Sequence, residues 1–320
     1  MATSPRARGA DFKLYAKTES TAGTAPTGDW LQLPCISFGL GAQANIRDDA
    51  ILSAIAESTR DQVGGYLDLT QVEGPAVVPV DLENFGTWLR LFMGAPSTSG
   101  SSDYTHVFTS GAVSLPSIAT EKAFSRISKF AVCTYVSGNT MEITWDAEGR
   151  LVANLDLMAQ DETIGGTTSA GTPTFAGMTR FRRGHMVLLK GGSAFANVTS
   201  FRMRLENNLE AIRTVNSAGA IEAIDAGNAG LSGSFRIRVA DTALITAAEA
   251  ETTQALAPKL TISATKALEF DLPRCLISRP KFVVEGPGGI EFDVNFRAEY
   301  DLTSGYMMQA TLKNQTAAYS

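Results

Sequence analysis

Residues 291–301 read EFDVNFRAEYD, and this stretch decides the fold class. Phe292, Val294, Phe296, Ala298 and Tyr300 fall on one side of an extended chain; Glu291, Asp293, Asn295, Arg297, Glu299 and Asp301 fall on the other. A period of two over about ten residues means a β-strand with one dry and one wet face. The design recurs upstream. Phe201, Met203 and Leu205 oppose Arg202, Arg204 and Glu206; Phe235, Ile237 and Val239 oppose Ser234, Arg236 and Arg238; Leu151, Ala153, Leu155 and Leu157 oppose Val152, Asn154 and Asp156. From Trp30 onward Gly, Pro and Asn punctuate such alternations, the signature of an all-β chain.

Helix signals are few. Asp81 can cap a segment in which Leu82, Phe85, Leu89 and Phe92 recur at three and four residues, with Gly94 and Pro96 ending it, which predicts a helix at about 82–93. A weaker surface helix is predicted at about 246–256, opened by Thr246 and stopped by Pro258. Residues 1–30, rich in Ala, Thr, Ser and Gly, read as an extended arm anchored by Phe12, Leu14 and Tyr15. Residues 97–103 and 163–177 read as long loops, the second a Gly/Thr-rich linker.

On either side of that linker the order of elements repeats. FGLGAQAN (38–45) corresponds to FRMRLENN (201–208), VGGYLDL (63–69) to Ser232–Val239, and the hairpin of 143–157 to that of 282–300. The expected organisation is an arm at 1–30, a first domain at 31–162, a linker at 163–178 and a second domain at 179–320.

Composition bounds function. The 320 residues include 27 Lys+Arg and 33 Asp+Glu, a net charge of −6, so there is no electrostatic footprint for tight nucleic-acid binding. Residues 1–160 hold 11 basic and 17 acidic side chains, and the remainder 16 of each. Cys35, Cys133 and Cys275, an odd number set far apart, fit neither a disulfide framework nor a zinc motif and read as reduced thiols. The longest apolar runs, such as Ala76–Val80, are far too short for a membrane span, and the N-terminus lacks a signal-peptide apolar stretch. His106 and His185 stand far apart, and no phosphate loop, GxSxG or HExxH occurs. FGLGAQAN has Ala44 where a dinucleotide loop needs its third glycine. No enzyme, cofactor or metal is therefore expected. Arg180, Arg182 and Arg183 form a basic run without an aromatic ladder, which favours subunit contact or a solvated strand over nucleic acid.

This succession of features resembles the tail tube proteins of long-tailed bacteriophages, in the type with two tube domains in one chain. It covers about residues 30–315: the strand ending at Asn45, VGGYLDL, the helix of VDLENFGTWLRLFMGAP, YTHVFTSG, SIATEK and RLVANLDL, then NVTSFRMRLENNLEAI, LSGSFRIRV, LEFDLP and GGIEFDVNFRAEYD. The resemblance implies a mainly β fold of two tandem β-sandwich or barrel domains, each flanked by a short helix. It also implies a structural virion protein, assembled in the host cytoplasm into stacked trimeric rings of pseudo-sixfold symmetry. Its partners would be further copies of itself, a tape-measure protein, tail-end proteins and the DNA ejected through the lumen. Wet-face residues Asp68, Asp156, Glu206 and Glu291 are then candidates for the lumen wall. Phe12, Tyr15, Arg180, Arg182 and Arg183 are candidates for contacts between subunits or rings. The alternative is another self-assembling virion β protein: a tail terminator, baseplate hub or capsid decoration protein.

Overall fold

The computed structural model describes residues 6–49, 51, 60–61, 64–145, 151–215, 221–239, 241–281, 286 and 288–319. In chain order the first half holds β1 (Phe12–Thr18), β2 (Leu31–Leu33), β3 (Ser37–Phe38), β4 (Gly41–Gln43), β5 (Ile46–Asp48), β6 (Gly65–Leu67), β7 (Gln71–Pro79), α1 (Phe85–Met93), β8 (Ser97–Gly100), β9 (Tyr104–Thr109), β10 (Ile118–Phe124), β11 (Lys129–Trp145), β12 (Val152–Ala159) and β13 (Asp161–Gly165). The second half holds β14 (Met186–Lys190), β15 (Ser193–Ala194), β16 (Val198–Glu206), β17 (Leu209–Ile212), β18 (Ala223–Ala226), β19 (Gly230–Arg238), α2 (Ala243–Glu249), β20 (Gln254–Ser263), β21 (Lys266–Ile277), β22 (Glu291–Ala298) and β23 (Gln309–Asn314).

The fold is mainly β and antiparallel. One layer runs β7–β12–β11–β16–β19–β22, passing from the first half to the second at β11–β16. Another runs β14–β20–β21–β23–β9–β8, passing back at β23–β9. The layers join where Cys275–Ile277 of β21 pair with β22. The alternations of the sequence become cross-strand rows: Ile143, Met203, Gly233 and Phe296 lie side by side, and so do Trp145, Phe201, Phe235 and Val294. Apart from Gly233, which has no side chain, all these residues point inward and are buried. Trp145 bridges the layers, 5.1 Å from Phe201 and 6.1 Å from Phe270 between ring centroids. The larger hydrophobic core therefore serves both halves.

A third sheet, β2–β1–β10–β11–β13, uses the N-terminal part of β11. Tyr135, with a left-handed φ of 53°, stands where the 17-residue β11 leaves this sheet for the main one. Tyr15, Trp30, Ala119, Ala123 and Ala170 form its core. Part of the stretch read as an arm is thus a strand, because Leu14 and Ala16 have an apolar surface to cover. The expected linker also packs on the first half: Trp30 N–H donates to Ala170 O, Thr174 N–H donates to Trp30 O, and β13 pairs with β11. The buried Glu121 carboxylate accepts Thr168 Oγ1–H and Ser169 N–H, both at 2.6 Å.

The strand pairing of the first half recurs in the second. β2–β1–β10–β11–β13 is matched by β15–β14–β20–β21–β23, and β11–β12–β7–(β3, β4) by β21–β22–β19–β16. Registers match as well. Phe38 faces Ala76 and Phe201 faces Phe235; Ala76 faces Leu155 and Phe235 faces Val294. Counterparts thus lie 163 residues apart from β3 to β5 (201 − 38), 159 from β6 to β7 (235 − 76) and 139 along β12 (294 − 155). One expected correspondence is corrected: the counterpart of Ser232–Val239 is Glu73–Val80, since VGGYLDL supplies β6 of a separate hairpin rather than a layer strand.

Three local readings also change. The stretch 97–103 holds β8, paired with β9 in a hairpin, rather than a free loop. The second helix covers Ala243–Glu249, earlier than predicted, and Pro258 lies inside β20 opposite Leu188. Leu256 and Leu260 alternate into the core, so pairing prevails over helix propensity there. The hairpin tips at 146–150 and 282–285 lie outside the described residues.

Helix α1 begins at Phe85, and its Phe85, Trp88, Leu89, Leu91 and Phe92 are buried as the three-four spacing requires. Asp81, 1% exposed, organises the turn before it: Oδ2 accepts the Asn84 backbone N–H at 3.0 Å and the Asn84 amide at 2.6 Å. Burial pushes this carboxyl from near 3.8 up to about 6. An acid with a raised folded-state pKa contributes stability below its unfolded pKa and loses it as pH rises through the folded value. Relative to the parent, Asp81→Asn should gain roughly 3 kcal/mol as pH goes from about 4 to 7. Urea unfolding of both proteins across that range measures it. A gap that stays constant with pH would assign the titration elsewhere.

Candidate functional site

The wet side of the strands β12–β11–β16–β19–β22 is a largely polar surface. Its rows run Asn154, Glu142, Arg204, Ser232, Arg297 and Val152, Thr144, Arg202, Ser234, Asn295. Asp156 and Glu206 both face Thr140 from opposite sides. Arg236 pairs with Asp293 at 2.7 Å, Arg238 with Glu291 at 3.4 Å, Arg204 with Glu206 at 2.7 Å, and Arg202 with Glu142. Five arginines (202, 204, 236, 238, 297) thus share the surface with five carboxylates (142, 156, 206, 291, 293). The face is charge-balanced rather than acidic. It does unite Asp156, Glu206 and Glu291, which sequence reasoning selected from different strands.

Asp68 lies elsewhere, beside the hairpin of β5 and β6. Arg47 donates to it at 2.8 Å, and this bond holds its carboxyl below the usual range. On that hairpin Ile46 pairs with Leu67, at 76% and 70% exposure, and Tyr66 is exposed too. The matching hairpin of β17 and β18 has the same register, Leu209 facing Ala226. Its surroundings differ, because it is seated on the first half. Leu209 N–H donates to Asn139 Oδ1 at 3.0 Å, Gln160 Nε2–H to Ile221 O at 2.8 Å, and Arg213 to Thr70 O at 3.4 Å; Ile221 and Ile224 are buried.

Two open cavities flank the layers. One, of about 670 Å³, is lined by Trp145, Phe181, Met186 and Leu260 together with Arg180, Arg182 and Arg183. This gathers the predicted basic run around an apolar floor. The other, of about 540 Å³, is lined by Ala229, Leu276, Ala298, Glu299, Tyr300 and Met307 among others. Tyr15 is buried within its own sheet, opposite Glu121 and Gln32, and Phe12 packs on Phe124 at 5.6 Å between centroids. Cys133 and Cys275 are buried, which pushes both thiols up to about 12; Cys35 is half-buried and raised as well. Such thiols are poor nucleophiles at neutral pH. Among the described residues no helix is long and apolar enough to cross a membrane.

A charge-balanced β face, exposed hairpins and doubled strand pairing are features of a building block. Comparison with known protein families matches the phage tail tube protein family over residues 9–298. The chain belongs to that family. Comparison with curated proteins gives no match. This tube protein is a structural component of the phage tail. Sequence reasoning found the wet face through its period of two. It missed the Ile46–Leu67 hairpin and the Leu276–Tyr300 cavity.

Proposed function

We propose that this tube protein assembles as stacked rings of three chains, each chain contributing two structurally matched units, around a lumen that holds the tape-measure protein and later passes DNA. The observation that carries this reading is the recurrence of the first half's strand pairing, in register, in the second. A chain made of two like units completes a six-unit ring with three copies. The wet face bearing Asp156, Glu206 and Glu291 is the lumen wall in this proposal. Arg202, Arg204, Arg236 and Arg238 each lie in an ion pair, so the wall offers phosphates little uncompensated positive charge and DNA slides without being held. The role is structural and non-enzymatic, in the virion tail, with assembly in the host cytoplasm and tail-end proteins at the two ends of the tube.

Electron microscopy of purified protein should show tubes with a regular axial repeat, and native mass spectrometry of rings should show three full-length chains. Six chains per ring would overturn the trimer. Single closed rings that never stack would point to a tail terminator or hub, and shell-bound knobs to a capsid decoration protein.

A further inference from the structure

Within the chain, the surface formed by Thr70, Asn139 and Gln160 of the first half is covered by the β17–β18 hairpin of the second. The repeat places the counterparts of those residues at Ala229 (70 + 159), Ser278 (139 + 139) and Glu299 (160 + 139). Ala229 and Glu299 line the open 540 Å³ cavity together with Leu276, 37% exposed, and Tyr300, 59% exposed. Two of the three counterpart positions thus border an open cavity in the second half, and the third, Ser278, is exposed nearby in sequence. The first half carries the matching plug, unseated: Leu209 is half-buried, whereas its counterpart Ile46 is 76% exposed. The strands beside the plug tell the same story. β16 pairs on both sides, with β19 and β11, whereas its counterparts β3 and β4 pair only with β7 among the described residues. A two-stranded hairpin with apolar side chains in water is marginal by itself, and exposed apolar patches of this kind mark contacts.

We infer that the β5–β6 hairpin of one copy, through Ile46, Tyr66 and Leu67, docks into the Ala229–Leu276–Glu299–Tyr300 cavity of the next copy, repeating the contact that β17–β18 makes inside the chain. The interface is head-to-tail: the first half of each copy engages the second half of its neighbour. Such a contact closes into a ring when its rotation permits, and the internal contact supplies the template for that rotation. The inference rests on the ring reading above and specifies which surfaces join.

The test uses full-length chains. Ile46→Asp/Leu67→Asp alters only exposed side chains, so it should keep the parent's circular dichroism and melting temperature while losing rings and tubes, leaving monomers by light scattering. Because the internal contact brings Leu209 N–H to Asn139, Ile46 should meet Ser278 of the neighbour. Mixing Ile46→Cys chains with Ser278→Cys chains under mild oxidation should therefore give crosslinked dimers that neither variant forms alone. Normal rings from Ile46→Asp/Leu67→Asp together with no crosslink would overturn this interface while leaving the ring reading intact. A parent chain that stays monomeric would overturn both.

Discussion

Trp145→Ala is expected to cost about 3–5 kcal/mol, the range for deleting a buried large aromatic. The residue is 4% exposed and closes a row of inward side chains, Trp145, Phe201, Phe235 and Val294, that crosses β11, β16, β19 and β22. It also reaches Phe270 in the opposite layer. Truncation therefore opens a cavity between layers and between halves at once. Its indole Nε1 finds no hydrogen-bond partner among the described residues, so Trp145→Phe, which keeps one aromatic ring and removes that donor, should cost less than Trp145→Ala, about 1.5 kcal/mol. Denaturant unfolding in the Ile46→Asp/Leu67→Asp background reads both values without interference from assembly. Equal losses for Ala and Phe would show that the indole's second ring, not the aromatic bridge, carries the effect.

Gly233→Val is expected to be comparably severe, about 3 kcal/mol or more. Gly233 sits between Met203 and Phe296 in a buried row, and a Cβ there would stand 2.3 Å from the Arg202 carbonyl oxygen and 2.4 Å from Phe296 Cζ. The first obstacle is backbone of the neighbouring strand, which cannot move without breaking the β16–β19 ladder. Adding Phe296→Leu should therefore restore only part of the loss. Gly230→Val is the control in the same strand, because a Cβ at Gly230 meets nothing within 4 Å. Its cost should stay within about 0.5 kcal/mol. Similar losses at both positions would remove the steric argument and leave only the general effect of placing Val in β19.

Particular residues show what could be read in advance. The inward rows Phe201–Met203–Leu205 and Phe292–Val294–Phe296 were legible because alternation of apolar and polar side chains is a local property, fixed by the pleat of a single strand. The helix around Trp88 was legible for the corresponding reason at its own period. The β6 strand was assigned the wrong counterpart because VGGYLDL and SGSFRIRV have similar local character. They differ in partner, β5 in one case and both β16 and β22 in the other. Likewise Leu14 and Ala16 gave no period strong enough to outweigh the Ser/Thr/Gly-rich residues around them, and only β10 and β2 on either side make that stretch a strand.

The basic run at Arg180, Arg182 and Arg183 marks the limit from the other direction. Its charge was plain in the sequence, yet its neighbours Trp145, Met186 and Leu260 come from three separate elements. The same holds for the wet face. Each arginine and carboxylate could be assigned to a polar side, but charge balance depends on register. Arg236 meets Asp293 and Arg238 meets Glu291 because β19 and β22 align Phe235 with Val294.

By itself, then, the amino-acid sequence determined the β class and the dry and wet side of each long strand, which depend on side-chain order along one strand at a time, and the resemblance to tail tube proteins, which depends on the order of such segments along the chain. The tertiary structure decided that both halves share one core, that three of the four chosen acids lie on one face, and that one hairpin is seated while its twin is not. Those outcomes depend on which strands meet and in what register, a matter of long-range pairing that no local period encodes.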